Sequence, residues 1–243
     1  MNKELDDFIL GTDCRNISDT VIIAPCWSPE SVGISGSLIS NYCCEIWDCY
    51  MSGYKFTYIV TGVGAAQCLD IMSALGENGC KKALFIGSAG TFASGISIGE
   101  IAIPEKVICA EGATRFLYSD YKEDCLGRTY SVNQDIVKSI VHEAKSYRIC
   151  LHYGIGISLE SIYHQYKFIN SFVSDNITFV DMESSAFLSA SEKYGIKSAI
   201  VYCISDNVVD SEPLYHVAQH KLLFRKNQRR EYFPSLIMGY LKA

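Results

Sequence analysis

Two acidic steps follow apolar stretches of the sequence, at places where strands are expected to end. Asp181, Met182 and Glu183 close one stretch, and Ser205 and Asp206 close another about twenty residues later. Carboxylates can exchange protons with a ligand or accept hydrogen bonds from its hydroxyl groups. Ligands of open α/β sheets bind at the carboxyl ends of the strands. The two steps therefore predict one ligand site at this edge.

These acids also have an ordinary structural role open to them. Asp and Ser at a strand-to-helix junction are common N-caps, and Glu183 falls in a first helical turn, where the helix dipole favours an acid. Two glycine-rich turns, residues 61–66 and 86–91, close apolar stretches in the same way. The recurrence of such strand ends favours a shared cleft over separate caps.

Hydropathy periodicity predicts strands that alternate with helices. Strands are expected at residues 20–24, 45–49, 55–61, 83–87, 101–108, 149–156, 178–181 and 197–204, and helices at 65–77, 133–147 and 183–194. This alternation predicts a single α/β domain over residues 1–243, with residues 1–19 as an N-terminal extension. We expect a central, mixed but largely parallel, twisted sheet with helices on both faces. The basic segment 221–230 should form a helix over the sheet with its charges solvated, and contact with an anionic ligand or a neighbouring subunit is the alternative for these charges.

Composition limits the partners of this chain. The net charge of −6 provides no general basic field for nucleic acid. No apolar run approaches the roughly 20 residues of a membrane helix. We therefore expect a small-molecule ligand, and neither a nucleic-acid nor a membrane partner.

Cysteine content and the first residues suggest a cellular compartment. The sequence contains 11 cysteines and 5 histidines. It opens with acidic residues instead of the basic-then-apolar pattern of a signal peptide. The thiols are therefore expected to be free, mostly as small core residues, in a cytoplasmic protein. No zinc-ligand spacing is present, so we predict no metal site.

Three motifs in this order and spacing carry a family resemblance: Gly87-Ser88-Ala89-Gly90, Asp181-Met182-Glu183-Ser184 and Ser205-Asp206-Asn207. They resemble the nucleoside phosphorylase and nucleosidase superfamily, which includes hexameric purine nucleoside phosphorylases and methylthioadenosine nucleosidases. The resemblance runs from about residue 20 to the C-terminus. It implies a nucleoside phosphorylase-like fold and no cofactor. The implied activity is cleavage of the N-glycosidic bond of a purine nucleoside or a 5′-modified purine nucleoside. It also implies a homo-oligomer, dimeric or hexameric, and residues 42–54 are the expected interface.

The resemblance further implies roles for individual residues. Asp206 would protonate or hydrogen-bond N7 of the purine, and burial at a strand end would raise its pKa. Glu183 would accept hydrogen bonds from the ribose 2′ and 3′ hydroxyls, and Met182 would pack against the sugar. Asp181 stands where relatives carry Glu, which shortens its reach and leaves its role open. Other expected substrate contacts are Ser88, Gly64, Thr114, Ser205 and, for base stacking or a core role, Ile162 and Tyr163.

The residues that hold phosphate in hexameric phosphorylases differ here. Those relatives carry a first loop of the form Pro-Gly-Asp-Pro-x-Arg, where this chain has Pro25-Cys26-Trp27-Ser28-Pro29-Glu30. Two further family arginines align with Phe85 and with residues 42–45, which contain no cation. Holding a phosphate without cations is unfavourable, because hydrogen bonds alone must offset its dehydration.

The altered first loop favours hydrolysis over phosphorolysis. Relatives that hydrolyse methylthioadenosine place a glutamate in this loop, so Glu30 is the expected general base that activates water. Pro29 at a first helical position equally fits a Glu30 that is simply solvated. Phosphorolysis stays an alternative, with phosphate as co-substrate and Arg115 as a relocated cation. A nucleoside-binding protein with little turnover is a third, and a pyrimidine substrate is disfavoured because uridine-cleaving relatives usually lack the Ser-Asp step.

Overall fold

The computed structural model describes residues 3–118, 120 and 122–243 of the chain. Its helices are α1 (Lys3–Leu10), α2 (Ala65–Glu77), α3 (Gln134–Ser146), α4 (Ile162–Gln165), α5 (Ile169–Ser174), α6 (Ser184–Tyr194) and α7 (Gln219–Lys242). Its strands are β1 (Thr20–Ala24), β2 (Gly36–Asn41), β3 (Glu45–Met51), β4 (Tyr54–Val60), β5 (Lys82–Thr91), β6 (Ile101–Ala110), β7 (Thr129–Ser131), β8 (Leu151–Leu159), β9 (Ile177–Asp181) and β10 (Lys197–Asn207). Short 3₁₀ turns lie at Cys14–Asn16, Pro29–Val32, Thr114–Leu117 and Leu214–His216.

The strands form one mixed sheet in the order β10-β6-β8-β9-β5-β1-β4-β3-β2, with β7 on β6. Because β10 also pairs with β5, the strands β5, β10, β6, β8 and β9 close into a ring. Parallel pairing joins β1 to β4 and β5, β5 to β10, and β8 to β6 and β9. Antiparallel pairing joins the remaining neighbours. The predicted single α/β domain with a mixed sheet and helices is confirmed.

Two helix pairs pack together, α2 with α6 and α3 with α7. The core between sheet and helices is largely aromatic around Phe85, whose ring centroid lies 5.5 Å from that of Phe187 on α6 and 6.4 Å from that of Tyr202 on β10. All three side chains are buried. Burial of each such side chain contributes roughly 1.5–3 kcal/mol, so these contacts hold α6 against the two strands that end at the predicted site.

The helix α7 extends well beyond the predicted residues 221–230, and its two halves have different environments. In the second half, the Tyr240 hydroxyl donates to the carbonyls of Val21 and Lys82, each at 2.8 Å. In the first half, Arg229 Nε donates to the Ser31 carbonyl at 2.9 Å, and the Arg229 guanidinium lies 4.6 Å from the Trp27 ring centroid. The first half of α7 is thereby held against the loop that follows β1.

The N-terminal segment belongs to the packed structure. α1 contacts α2, Leu10 is fully buried, and the Asn78 side-chain amide donates to the Asp6 carboxylate at 2.9 Å. The described residues 3–19 are therefore attached to the core.

Two expectations from composition can be compared with the structure. All eleven cysteines lie among the described residues and are unpaired. Most of them are buried, as predicted: Cys44, Cys49, Cys68, Cys80, Cys109, Cys125 and Cys203. Within residues 3–118, 120 and 122–243, none of the helices combines the length and hydropathy that a membrane span requires.

Candidate functional site

A cavity of about 220 Å³ lies where the carboxyl ends of β5, β9 and β10 approach the loop after β1. It brings together many of the residues singled out by sequence: Ser88, Ile162, Asp181, Met182, Glu183, Ser205 and Asp206. Residues that are far apart in the chain thus share one site, as the strand-end argument predicts.

Glu183 lies between the N-termini of two helices. It immediately precedes α6, and its Oε1 accepts a hydrogen bond of 2.6 Å from the backbone N–H of Gly64, the residue that precedes α2. Its side chain is buried. Burial raises the pKa of Glu183, and the neighbouring charge of Asp181 raises it further. Oε1 is held by the backbone, so Glu183 presents a fixed acceptor surface to the cavity.

Asp181 anchors the first turn of α6. Its Oδ1 accepts from the Ser158 hydroxyl at 2.6 Å, and its Oδ2 accepts from the Ser184 N–H at 2.9 Å and from the Ser184 hydroxyl. Ser158 Oγ in turn accepts from the Ser185 N–H at 2.9 Å. These bonds satisfy the otherwise unpaired N–H groups of a buried helix start. Although Asp181 lines the cavity, both of its oxygens are engaged by the protein.

Asp206 is buried at the end of β10. The register between β10 and β5 shifts between Ile204 and Asp206, and such a bulge redirects side chains, so that Ser205 and Asp206 both face the cavity. The Ser205 hydroxyl donates to Asp206 Oδ1 at 2.5 Å. Burial raises the pKa of Asp206, while the Ser205 hydrogen bond and the charge of Arg225 act in the opposite direction. A Cβ at Gly90 would lie 3.1 Å from both Asp206 oxygens, so glycine keeps space open beside the carboxyl group.

The cavity wall contains a cation, although the positions that align with the phosphate-binding arginines of relatives contain none. Arg225, on α7, lines the cavity, and its Nη2 donates to the Ser88 hydroxyl. Its Nε is buried and has no hydrogen-bond partner within the described part of the chain. Its guanidinium lies 6.0 Å from the Trp27 ring centroid. The expectation that all charges of the 221–230 segment are solvated is therefore wrong for Arg225.

Comparison with known proteins identifies the family. Residues 39–230 match the model of the phosphorylase superfamily. The chain belongs to this superfamily.

Individual superfamily members are distant in sequence. A DeoD-type purine nucleoside phosphorylase of Streptococcus suis is 23% identical over 163 residues, which cover 66% of this chain and 67% of that protein. A uridine phosphorylase of Thermococcus kodakarensis is 21% identical over 175 residues, which cover 66% of this chain and 61% of that protein. The matched region thus spans about two thirds of each relative.

Solved superfamily structures match nearly the whole chain. The uridine phosphorylase of Vibrio fischeri ES114, complexed with 6-hydroxy-1-naphthoic acid, superposes with a TM-score of 0.77 at 18% identity, covering 95% of this chain and 93% of that one. The purine nucleoside phosphorylase of Toxoplasma gondii in complex with immucillin-H gives 0.77 at 15% identity, covering 94% and 92%. At these identities the likeness establishes the fold.

Glu30 lies outside the cavity of this phosphorylase-superfamily fold. Pro29 begins a 3₁₀ turn that ends at Val32, and Glu30 is solvent-exposed on that turn. The loop instead contributes Pro25 and Cys26 to the cavity wall. The family resemblance places a glutamate in this loop, but the turn that Pro29 begins directs Glu30 towards solvent.

Four other predicted residues do not line the cavity. Thr114 is fully buried, and its hydroxyl bonds to Glu111 and lies 3.2 Å from Ser189 Oγ. Arg115 is exposed, and its Nε donates to the Gly112 carbonyl at 2.8 Å. Tyr163 is 81% exposed, whereas its neighbour Ile162 lines the cavity. Gly64 contributes through its N–H to Glu183 rather than by lining the cavity.

Several cavity residues were missed by sequence reasoning. Gln165 is buried on α4, and Leu214 lies in the 3₁₀ turn before α7. Both line the cavity together with Cys26 and Val63. Their residue types are common in loops and at helix ends and do not indicate a ligand site. For Arg225, the basic run around it was a sequence signal for an anion contact.

One cluster outside the cavity has the composition of a metal site. Asp7, Asp13 and Cys14 lie close together near α1. Their polar atoms have other partners, since Asp7 accepts from the Cys14 N–H at 2.9 Å and Asp13 accepts from the Arg15 N–H at 2.9 Å. These bonds account for the cluster as loop capping, and the absence of a metal stays a prediction.

Proposed function

We propose that this chain cleaves the N-glycosidic bond of purine nucleosides by phosphorolysis, releasing the base and ribose 1-phosphate. The observation that carries the proposal is the guanidinium of Arg225 beside the Ser88 hydroxyl, in the cavity that also contains Glu183 and Asp206. Together these residues provide an anion site, a sugar site and an acid.

Asp206 is the proposed acid. When the bond between C1′ and N9 breaks, its electron pair passes into the purine, and N7 receives a proton from the Asp206 carboxyl group. Burial favours the protonated form that this step requires. Because the base is then released as a neutral molecule, the barrier to its departure falls.

Glu183 and Met182 are the proposed sugar contacts. The Glu183 carboxyl, held at Oε1 by Gly64, accepts from the ribose 2′ and 3′ hydroxyls. Met182 offers an apolar surface to the sugar ring. Asp181 holds the first turn of α6 in place and so positions Glu183.

Ser88 and Arg225 are the proposed phosphate contacts. A phosphate oxygen forms the new bond to C1′ as the oxocarbenium-like sugar develops positive charge. The guanidinium of Arg225 offsets the dehydration of the dianion and can bind two of its oxygens. Its unpartnered Nε is a further donor for this anion.

Hydrolysis by Glu30 has less support. A general base must reach the attacking water within hydrogen-bond distance, and Glu30 is solvent-exposed and does not line the cavity. Nucleoside binding with little turnover has less support too, because the acid, the sugar carboxylate and a cation share one cavity. Between purines and pyrimidines, Ser205 and Asp206 favour a purine, since N7 is an acceptor that pyrimidines lack.

The proposal is tested by a phosphate titration of inosine cleavage with Arg225→Met. Loss of a charge-assisted contact of about 1.5–3 kcal/mol predicts a KM for phosphate that is raised roughly ten- to a hundredfold. Arg230→Met is the matched control, because Arg230 is exposed on the same helix and its KM should be unchanged. Equal phosphate KM values in wild type and Arg225→Met would refute Arg225 as the anion contact.

A further inference from the structure

A second recess adjoins the nucleoside cavity. It has a volume of about 460 Å³ and is lined mainly by Tyr166, Ile169, Val208, Pro213, Tyr215 and His216. Its walls are the junction between α4 and α5 and the segment between β10 and α7. None of the roles proposed above uses this recess.

The recess and the nucleoside cavity share two walls. Gln165 lines the cavity while the next residue, Tyr166, lines the recess. Leu214 lines the cavity while Pro213 and Tyr215, on either side of it, line the recess. Neighbouring residues of two separate segments therefore form the walls of both spaces.

Tyr166 relates the recess to the proposed acid. Its hydroxyl is buried and lies beside the Gln165 side chain and the Leu214 backbone, two parts of the cavity wall. Burial raises the pKa of Tyr166, and the nearby charge of Asp206 adds to this effect. Val208, two residues after Asp206, lines the recess, whereas Met182, Glu183 and Ser88 do not, so the recess lies on the Asp206 side of the cavity.

This placement matters for a bound purine. On the proposed function, Asp206 holds N7, and the neighbours of N7 are C8 and, through C5, the substituent on C6. C8 lies beside N9 and therefore near the sugar, whereas the C6 substituent points away from the sugar. A recess that adjoins the Asp206 side of the cavity and is not lined by the proposed sugar contacts faces the C6 substituent.

We propose that the recess binds an aromatic substituent on C6 of the purine, so that the substrates include N6-aryl- or N6-benzyl-substituted purine nucleosides. This inference rests on the proposed function. The rings of Tyr166 and Tyr215 meet edge to face, with centroids 5.6 Å apart. Tyr215 is 78% exposed, which leaves ring surface free for a planar group to stack on.

The test compares adenosine with N6-benzyladenosine in wild type, Tyr215→Ala and Tyr147→Ala. Tyr147 is the matched control, because it is 63% exposed after α3 and lines neither space. Wild type should cleave N6-benzyladenosine at least as efficiently as adenosine. Tyr215→Ala should lower kcat/KM for N6-benzyladenosine about tenfold, the size of one lost aromatic contact, and leave adenosine within twofold. Tyr147→Ala should change neither.

Two outcomes overturn the recess assignment: cleavage of adenosine without cleavage of N6-benzyladenosine, or an equal effect of Tyr215→Ala on both substrates. Cleavage of 8-benzylaminoadenosine in preference to N6-benzyladenosine would overturn the proposal that the C6 substituent faces the recess. If no purine nucleoside is cleaved, the proposed function fails instead. The recess is then judged by binding, and a Kd for N6-benzyladenine no lower than that for adenine rejects it.

Discussion

The backbone N–H of Gly64 donates a 2.6 Å hydrogen bond to Oε1 of Glu183, across 119 residues of sequence. This bond joins the start of α2 to the start of α6. The Gly64 hydrogen bond and the partial positive charge of both helix N-termini oppose the burial and the Asp181 charge that raise the pKa of Glu183. The proposed ribose acceptor, Glu183, is therefore positioned by two helices rather than by its own loop.

Gly64→Ala should disturb this contact through the backbone. Gly64 has φ +120°, which side chains rarely adopt, although a Cβ there would meet no neighbour within 4 Å. We expect a loss of about 1–3 kcal/mol in the free energy of unfolding and a raised KM for nucleoside. Gly53→Ala is the control, because Gly53 has φ +88° with equal free space in a turn away from the cavity. An unchanged nucleoside KM in Gly64→Ala would contradict the role of the contact.

Asp206→Asn should remove the proton donor and retain the fold. We expect kcat/KM for inosine to fall by about 10²–10⁴-fold, with an unfolding temperature close to that of wild type. Because burial raises the pKa of Asp206, the wild-type rate should fall as pH rises through that raised pKa, where the acid loses its proton. The variant should lack this limb of the pH profile. A variant with near-normal rates would remove Asp206 from the reaction.

Glu30→Gln should leave cleavage within about twofold of wild type, in the ordinary range for exposed surface substitutions. The reason is the exposed position of Glu30 on the 3₁₀ turn outside the cavity. Initial rates with inosine, measured with and without phosphate, check this expectation. Selective loss of phosphate-independent cleavage would restore Glu30 as a water-activating base.

Exposed tyrosines support the expected homo-oligomer. Tyr42, Tyr50 and Tyr54 are 69%, 63% and 40% exposed around the β2–β4 hairpins, and exposed aromatic clusters are typical of interfaces. We expect light scattering after gel filtration to give a multiple of the 27.0 kDa chain mass. Tyr42→Ser with Tyr50→Ser should shift the mass downwards. A monomer at every concentration tested would contradict the assembly.

The order of the strands and helices that form the site was predictable, because apolar stretches determine where strands lie, although β5, β8 and β10 extend past their predicted ends to Thr91, Leu159 and Asn207. β1 and α2 have the predicted bounds, Thr20–Ala24 and Ala65–Glu77. Asp181, Glu183 and Asp206 share a cavity because the ends of β9 and β10 converge. The positions of these acidic side chains follow from the arrangement of the strands, and the hydropathy pattern indicates where the strands lie.

Residues outside the strand ends were less predictable. Arg225 reaches Ser88 from 137 residues away, on a helix whose basic run resembles a solvated face. Only the packing of α7 against Trp27 and Ser31 turns that side chain inward. Glu30 and Thr114 lie in short 3₁₀ turns and Tyr163 lies in the single-turn helix α4, where one step of the backbone redirects a side chain. Sequence spacing carries no information on that direction.

The central claim is that phosphate is the nucleophile. The most direct measurement is ³¹P NMR of the purified protein with inosine and inorganic phosphate. We predict a ribose 1-phosphate signal that grows in step with released hypoxanthine, and no base release when phosphate is omitted. Release of base and free ribose at the same rate without phosphate would contradict the account.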